Sequence, residues 1–205
     1  MRTTVATPLR VATVVSNLFR ISSAPMSPLT PGTPIALVGM MGCGKSTVGR
    51  RLAAALKRPF VDADKELEAR CGVTIATIFE LEGEDGFRNR EALLIDELSR
   101  RAGIVLATGG GAVLRPANRQ ALHANSFVIY LRAALPELWH RLRHDKVRPL
   151  LQAPNPRQRI AELLALRDPL YEETAHLVVL TGRQPAERLV ADIIGQLPAV
   201  MREPV

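Results

Sequence analysis

The sequence predicts an α/β fold, a five-stranded parallel sheet flanked by helices on both faces. Five short apolar runs recur along the chain, at residues 35–38, 60–62, 103–108, 127–131 and 177–180. Between them lie segments with apolar residues at helical spacing, and that alternation specifies parallel strands joined by crossover helices. The runs are apolar almost throughout rather than alternating, as strands covered on both faces are. With 205 residues, 47 % of them hydrophobic, the chain can bury one such sheet but not a second domain of similar size.

Residues 1–33 stand apart, rich in Ser, Thr, Pro and Arg and without an acidic residue. The expectation is a disordered tail, an organelle transit peptide, or an extension upstream of a start near Met26, dispensable for chemistry. The apolar run from Val11 to Val15 is short and broken by Thr13, which weakens a secretory-signal reading. The strand at 35–38 ends at Gly39, and a helix follows over 45–56 with Val48, Leu52, Ala55 and Leu56 on one face. The run Phe60-Val61 ends at Asp62, and a helix over 64–70 stops at Cys71-Gly72. Ile75, Ile78 and Phe79 mark a helical turn, and 90–102 a longer helix with Leu93, Leu94 and Leu98 on its apolar face. The strand at 103–108 runs into Gly109-Gly110-Gly111. Beyond the strand at 127–131, residues 135–143 are helical, and 144–156, polar, basic and broken by prolines, form a loop. Residues 157–174 are helical, with Pro169 expected to kink or interrupt them. The strand at 177–180 and a helix over 185–196 complete a single domain, 34–198, leaving 199–205 as a tail.

The net charge is +7, and no acidic residue precedes Asp62. Aromatic residues are only 4 % and do not interleave with the basic ones, so stacking surfaces for nucleic acid are poorly supplied. The charge therefore suits small anionic ligands, and no nucleic-acid partner is expected. No run approaches the roughly 18 apolar residues of a membrane span. Two cysteines, Cys43 and Cys71, make neither a disulfide framework nor a metal cluster, which favours a reducing compartment. The four histidines have no metal-ligand spacing.

Gly39-Met40-Met41-Gly42-Cys43-Gly44-Lys45-Ser46 fits G-x-x-x-x-G-K-[ST] in full, between a predicted strand and a predicted helix. Its glycines let backbone N–H groups of Gly42, Cys43, Gly44, Lys45, Ser46 and Thr47 curl round phosphate oxygens, with the helix dipole behind them. Lys45 reaches the β and γ phosphates, and the Ser46 hydroxyl suits Mg²⁺. Cys43 reads as packing, since no base stands beside it in sequence. GTPases, ATPases and small-molecule kinases share this loop. An Asn-Lys-x-Asp tetrad is missing, which argues against a GTPase, and the strand at 103–108 lacks a terminal Asp.

The acids stand instead after the second strand, where ligands bind in open parallel sheets. One of Asp62 and Asp64 is suited to holding Mg²⁺ through water, and the other to accepting a hydroxyl proton from a phosphoryl acceptor; the blander reading is that Asp64 caps a helix. The glycine triplet at a strand end allows close approach to a ligand. Arg88, with Glu91 at i+3 to orient it, and Arg167 are candidates to grip a carboxylate with a bidentate fork. Arg148, in Arg148-Pro149-Leu150-Leu151, sits in a loop suited to act as a mobile lid and bring positive charge to a transferring phosphoryl group.

In order and spacing, Gly39 to Thr47, Asp62-Ala63-Asp64, Phe87-Arg88 with Glu91, Ala107 to Gly111, Arg148 to Leu151 and Arg167-Asp168-Pro169-Leu170-Tyr171 resemble the shikimate kinase family, in the nucleoside-monophosphate-kinase-like group of P-loop proteins. The resemblance covers residues 34–196. It implies a P-loop kinase fold, ATP- and Mg²⁺-dependent transfer to the 3-hydroxyl of shikimate in chorismate and aromatic amino acid biosynthesis, and a monomer. It implies that Asp64, Arg88, Gly109, Gly110, Gly111 and Arg167 contact shikimate, that Lys45, Ser46 and Asp62 serve phosphate and magnesium, and that Lys45, Asp64 and Arg148 are catalytic. Arg143 is the candidate to stack on adenine beside Arg148. The cytoplasm is the implied location, or the plastid if the extension is a transit peptide. A related kinase such as a gluconate kinase, or a kinase-like binding protein without catalysis, remains the alternative.

Overall fold

The structure is a computed structural model that describes residues 19–21, 28–143 and 154–202. Arg148, most of the loop at 144–156 and the rest of the N-terminal extension lie outside the described residues.

Six strands form one sheet: β1 (Phe19–Ile21), β2 (Ile35–Val38), β3 (Phe60–Asp62), β4 (Val105–Ala107), β5 (Phe127–Ala133) and β6 (Leu177–Thr181), in the spatial order β1-β6-β5-β2-β4-β3. The five strands expected from the sequence are parallel. The sixth comes from the extension, where β1 pairs antiparallel with β6, Phe19 opposite Val179. β2 lies at the centre and is fully buried, which explains its unbroken Ile-Ala-Leu-Val composition. Its register sets Leu37 opposite both Ala107 and Ile129, while Asp62 stands opposite Ala107. The strands therefore end together, and Gly39, Asp62 and Thr108 emerge on one rim of the sheet.

Among the described residues seven helices cover the sheet: α1 (Lys45–Ala55), α2 (Ala63–Cys71), α3 (Ile75–Ser99), α4 (Pro116–Asn125), α5 (Leu135–Leu142), α6 (Pro156–Thr174) and α7 (Ala186–Gln196). α1 packs on β2, β3 and β4 and against α7; α4 and α6 pack on β5 and on each other, with α3 beside α4. The helical turn at Ile75 and the helix expected from Arg90 are one element bent at Gly83, whose φ of 70° breaks the helical path. Leu94, Ile95 and Leu98 form its buried face, whereas Leu93, expected on that face from its spacing, is 76 % exposed. α4 lacks the apolar stripe that would announce it; only Asn118 and Leu122 are buried, with Asn118 Nδ2 donating to Ala112 O. Pro169 does not interrupt α6, which runs on to Thr174. The segment after residue 198 is not a loose tail as far as Arg202: Ala199–Arg202 form a 3₁₀ helix with Met201 fully buried.

Candidate active site

At the rim, β2 turns through Gly39 into α1. Gly39 has φ 141°, and a Cβ there would lie 2.7 Å from Leu131 O, so only glycine fits. α1 begins after Gly44, also at positive φ, with no side-chain cap. The uncapped amides of the first turn are therefore left to an anion. Lys45 is buried and its Nζ donates to Gly39 O at 2.7 Å and Met40 O at 3.0 Å, which holds the ammonium across the loop. Cys43 is buried, and a Cβ on Gly39 would lie 3.0 Å from its Sγ, consistent with packing.

Around this loop lies a cavity of about 460 Å³, lined by residues 41–48, Asp62, Asp64, Thr108, Gly110, Arg141 and the 181–184 turn. Ser46 Oγ donates to Asp62 Oδ2 at 2.7 Å. Among the described residues no three His, Cys, Asp or Glu side chains cluster. A hydroxyl and a carboxylate side by side, both hard oxygen donors, fit Mg²⁺, which takes few protein ligands and keeps water and phosphate oxygens. Asp62 also caps α2, accepting from Lys65 N at 3.5 Å. Capping thus falls to Asp62, and Asp64 lies inside the first turn of the helix, facing the cavity.

A second cavity, of about 330 Å³, adjoins the first and shares Met41, Asp64 and Gly110 with it. Arg88, Arg167, Glu91, Ile75, Phe79, Phe87 and the glycine triplet complete its lining. Arg88 NH1 donates to Glu91 Oε2 at 2.7 Å, with the two side chains 13 % and 6 % exposed, so Glu91 orients the guanidinium. Burial pushes the Glu91 carboxyl above its ordinary range, against the pull of Arg88. Arg167 is buried; its NH1 donates to Gly110 O at 3.1 Å, and its Nε has no protein partner among the described residues. The triplet's glycines act by close approach. A Cβ on Gly109 would lie 2.7 Å from Asp64 Oδ1, and one on Gly111 2.5 Å from Arg88 NH2.

The structure thus brings together every described residue expected at the site save one. Arg143 is the exposed C-terminal cap of α5 and does not line either cavity. Arg141, two residues earlier, lines the first cavity instead: NH1 donates to Gly42 O and Cys43 O at 3.1 and 3.2 Å, and NH2 to Gly182 O at 2.9 Å. The clue lay in the helix period, since Arg141 stands at i+3 from buried Leu138 and beside buried Leu142.

Comparison with known proteins agrees with this geometry. The family model for shikimate kinase matches residues 41–198. A shikimate kinase of Ralstonia nicotianae is 57 % identical over 163 residues, covering 80 % of this chain and 86 % of that protein. One of Burkholderia thailandensis is 54 % identical over 167 residues, covering 82 % and 91 %. Among solved structures, shikimate kinase from Acinetobacter baumannii in complex with shikimate is 48 % identical, with a TM-score of 0.76 over 79 % of this chain and 90 % of that one. With a P-loop, a paired-carboxylate rim and two adjoining cavities in place, the chain belongs to the shikimate kinase family.

Proposed function

We propose that the chain transfers the γ-phosphoryl group of ATP to the 3-hydroxyl of shikimate, giving shikimate 3-phosphate and ADP. The observation that carries this reading is the meeting of two cavities at Asp64 and Gly110, one built for phosphates and one for a small carboxylated acceptor. Loop amides and Lys45 hold the β and γ phosphates, and Arg141, which lines the same cavity and donates to Gly42 O, is the candidate to meet the base of the nucleotide. Ser46 and Asp62 are the residues to hold Mg²⁺, which supplies charge neutralisation between the phosphates when bound. The guanidinium groups of Arg88 and Arg167 take the shikimate carboxylate, and that anchoring turns the ring hydroxyls toward Asp64. Asp64 accepts the hydroxyl proton as the acceptor oxygen bonds to phosphorus. The protein acts as a monomer in the cytoplasm.

An assay of ADP release with ATP, Mg²⁺ and either shikimate or gluconate tests the reading. Turnover with shikimate alone is expected, and Lys45→Met, which removes the charge on the phosphates, abolishes it in a folded protein. Turnover with gluconate, or none with either acceptor, contradicts it.

A further inference from the structure

We infer that the Tyr171 hydroxyl is a positioning group for the acceptor site, acting through the Gly110 carbonyl on Arg167. The inference rests on the reading of the second cavity as the shikimate site. Tyr171 is fully buried on α6, one turn beyond Arg167. Its hydroxyl donates to Gly110 O at 2.5 Å, and Arg167 NH1 donates to the same oxygen at 3.1 Å. A carbonyl oxygen has two lone pairs, and here α6 fills both. On its other side Gly110 presses on the P-loop, where a Cβ would lie 3.2 Å from Met41 N. The oxygen is thus fixed in space by the tyrosine, and Arg167 is fixed by the oxygen.

The consequence for Arg167 is orientational. With NH1 committed to Gly110 O, the guanidinium that lines the acceptor cavity is held in one orientation. Without the tyrosine hydroxyl, Gly110 O keeps Arg167 as its one described side-chain donor and is free to tilt toward it, drawing the fork away from a carboxylate. Burial holds the Tyr171 phenol above its ordinary range, so it remains a donor across the neutral range. Tyr130 offers an internal comparison. It is equally buried, packs its ring 5.0 Å from that of Tyr171, and donates to Asp168 Oδ1 rather than to Gly110.

The test is a kinetic cycle on Tyr171→Phe, Arg167→Lys and the double variant, with Tyr130→Phe as comparison. Phenylalanine keeps the ring packing, and melting curves confirm folding. Tyr171→Phe is expected to raise KM for shikimate about five- to tenfold, with KM for ATP unchanged and kcat within about threefold. In the double variant the shikimate effects are less than multiplicative, because both act on one fork. Tyr130→Phe leaves KM for shikimate within about twofold. An unchanged KM in Tyr171→Phe, an equal rise in Tyr130→Phe, or fully multiplicative effects overturns the inference. If Arg167→Lys itself leaves shikimate binding unaltered, the assignment of the cavity has failed instead.

Discussion

Arg88 and Arg167 both line the acceptor cavity. Each is a buried or nearly buried guanidinium whose partners are on the protein, Glu91 for one and Gly110 O for the other. Lysine in either place keeps the charge but loses the fork. The expected result for Arg88→Lys and Arg167→Lys is weaker shikimate binding by about thirtyfold, roughly 2 kcal/mol, with nucleotide binding unchanged in calorimetry. Asp64→Asn differs, because an amide keeps the size but takes no proton. Its loss falls on the single-turnover rate, by about a hundredfold or more, while shikimate affinity holds. The residues of these predictions were legible in the sequence because each sits at a strand end or within a short motif. Arg141 was not, and Tyr171, though it stands in the motif that begins at Arg167, carried no role there. Their roles depend on which side of a helix faces the rim, and two neighbouring basic residues, Arg141 and Arg143, differ in that alone.

At the scale of elements, the glycine triplet decides how closely three walls approach. Gly111 has an ordinary φ of −100°, so alanine there is not strained in its backbone. Its methyl group would nonetheless meet Arg88 NH2 at 2.5 Å and push the fork aside. Gly111→Ala is therefore expected to raise KM for shikimate about tenfold with little change in melting temperature, a pattern that kinetics and calorimetry separate. β6 carries a second element-scale consequence. His176, which opens onto it, is buried, stacks on His123, and accepts from Val128 N through Nδ1. Burial lowers its pKa from 6.5 to about 4. The unfolded chain thus binds a proton that the folded chain refuses between those values. The contribution is complete above about pH 6.5 and is lost as pH falls, at roughly 1.4 kcal/mol per pH unit. The melting temperature is expected to drop more steeply from pH 7 to pH 5 in the parent than in His176→Asn; equal slopes would exclude this histidine as the cause. The strands were legible because central parallel strands are apolar without interruption. α4 was not, because it buries little, and the course of α6 past Pro169 was not, because tertiary packing overrides the missing hydrogen bond.

At the scale of the molecule, Arg58 ties the two ends of the domain together. Its NH1 donates to Thr33 O, and its NH2 to Pro31 O and Met201 O, at 2.9, 2.6 and 2.8 Å. Composition placed residues 1–33 outside the domain, yet Leu29 packs on the core and the carbonyls of residues 31 and 33 accept from this buried guanidinium. A chain starting at residue 34 is expected to melt about 4–8 °C below one starting at residue 28, for a loss on the order of 2 kcal/mol, with turnover at 25 °C retained in both. Equal melting temperatures would remove Arg58 from the account of stability. The two cavities meeting at Asp64 serve one reaction, the passage of a phosphoryl group to one hydroxyl of shikimate. Correlated phosphorus and proton NMR of the product from purified protein, ATP, Mg²⁺ and shikimate tests it most directly. Coupling of a new phosphate monoester resonance to the proton on C3 is the expected result; a phosphate on another hydroxyl, or ADP and inorganic phosphate with shikimate intact, would contradict it.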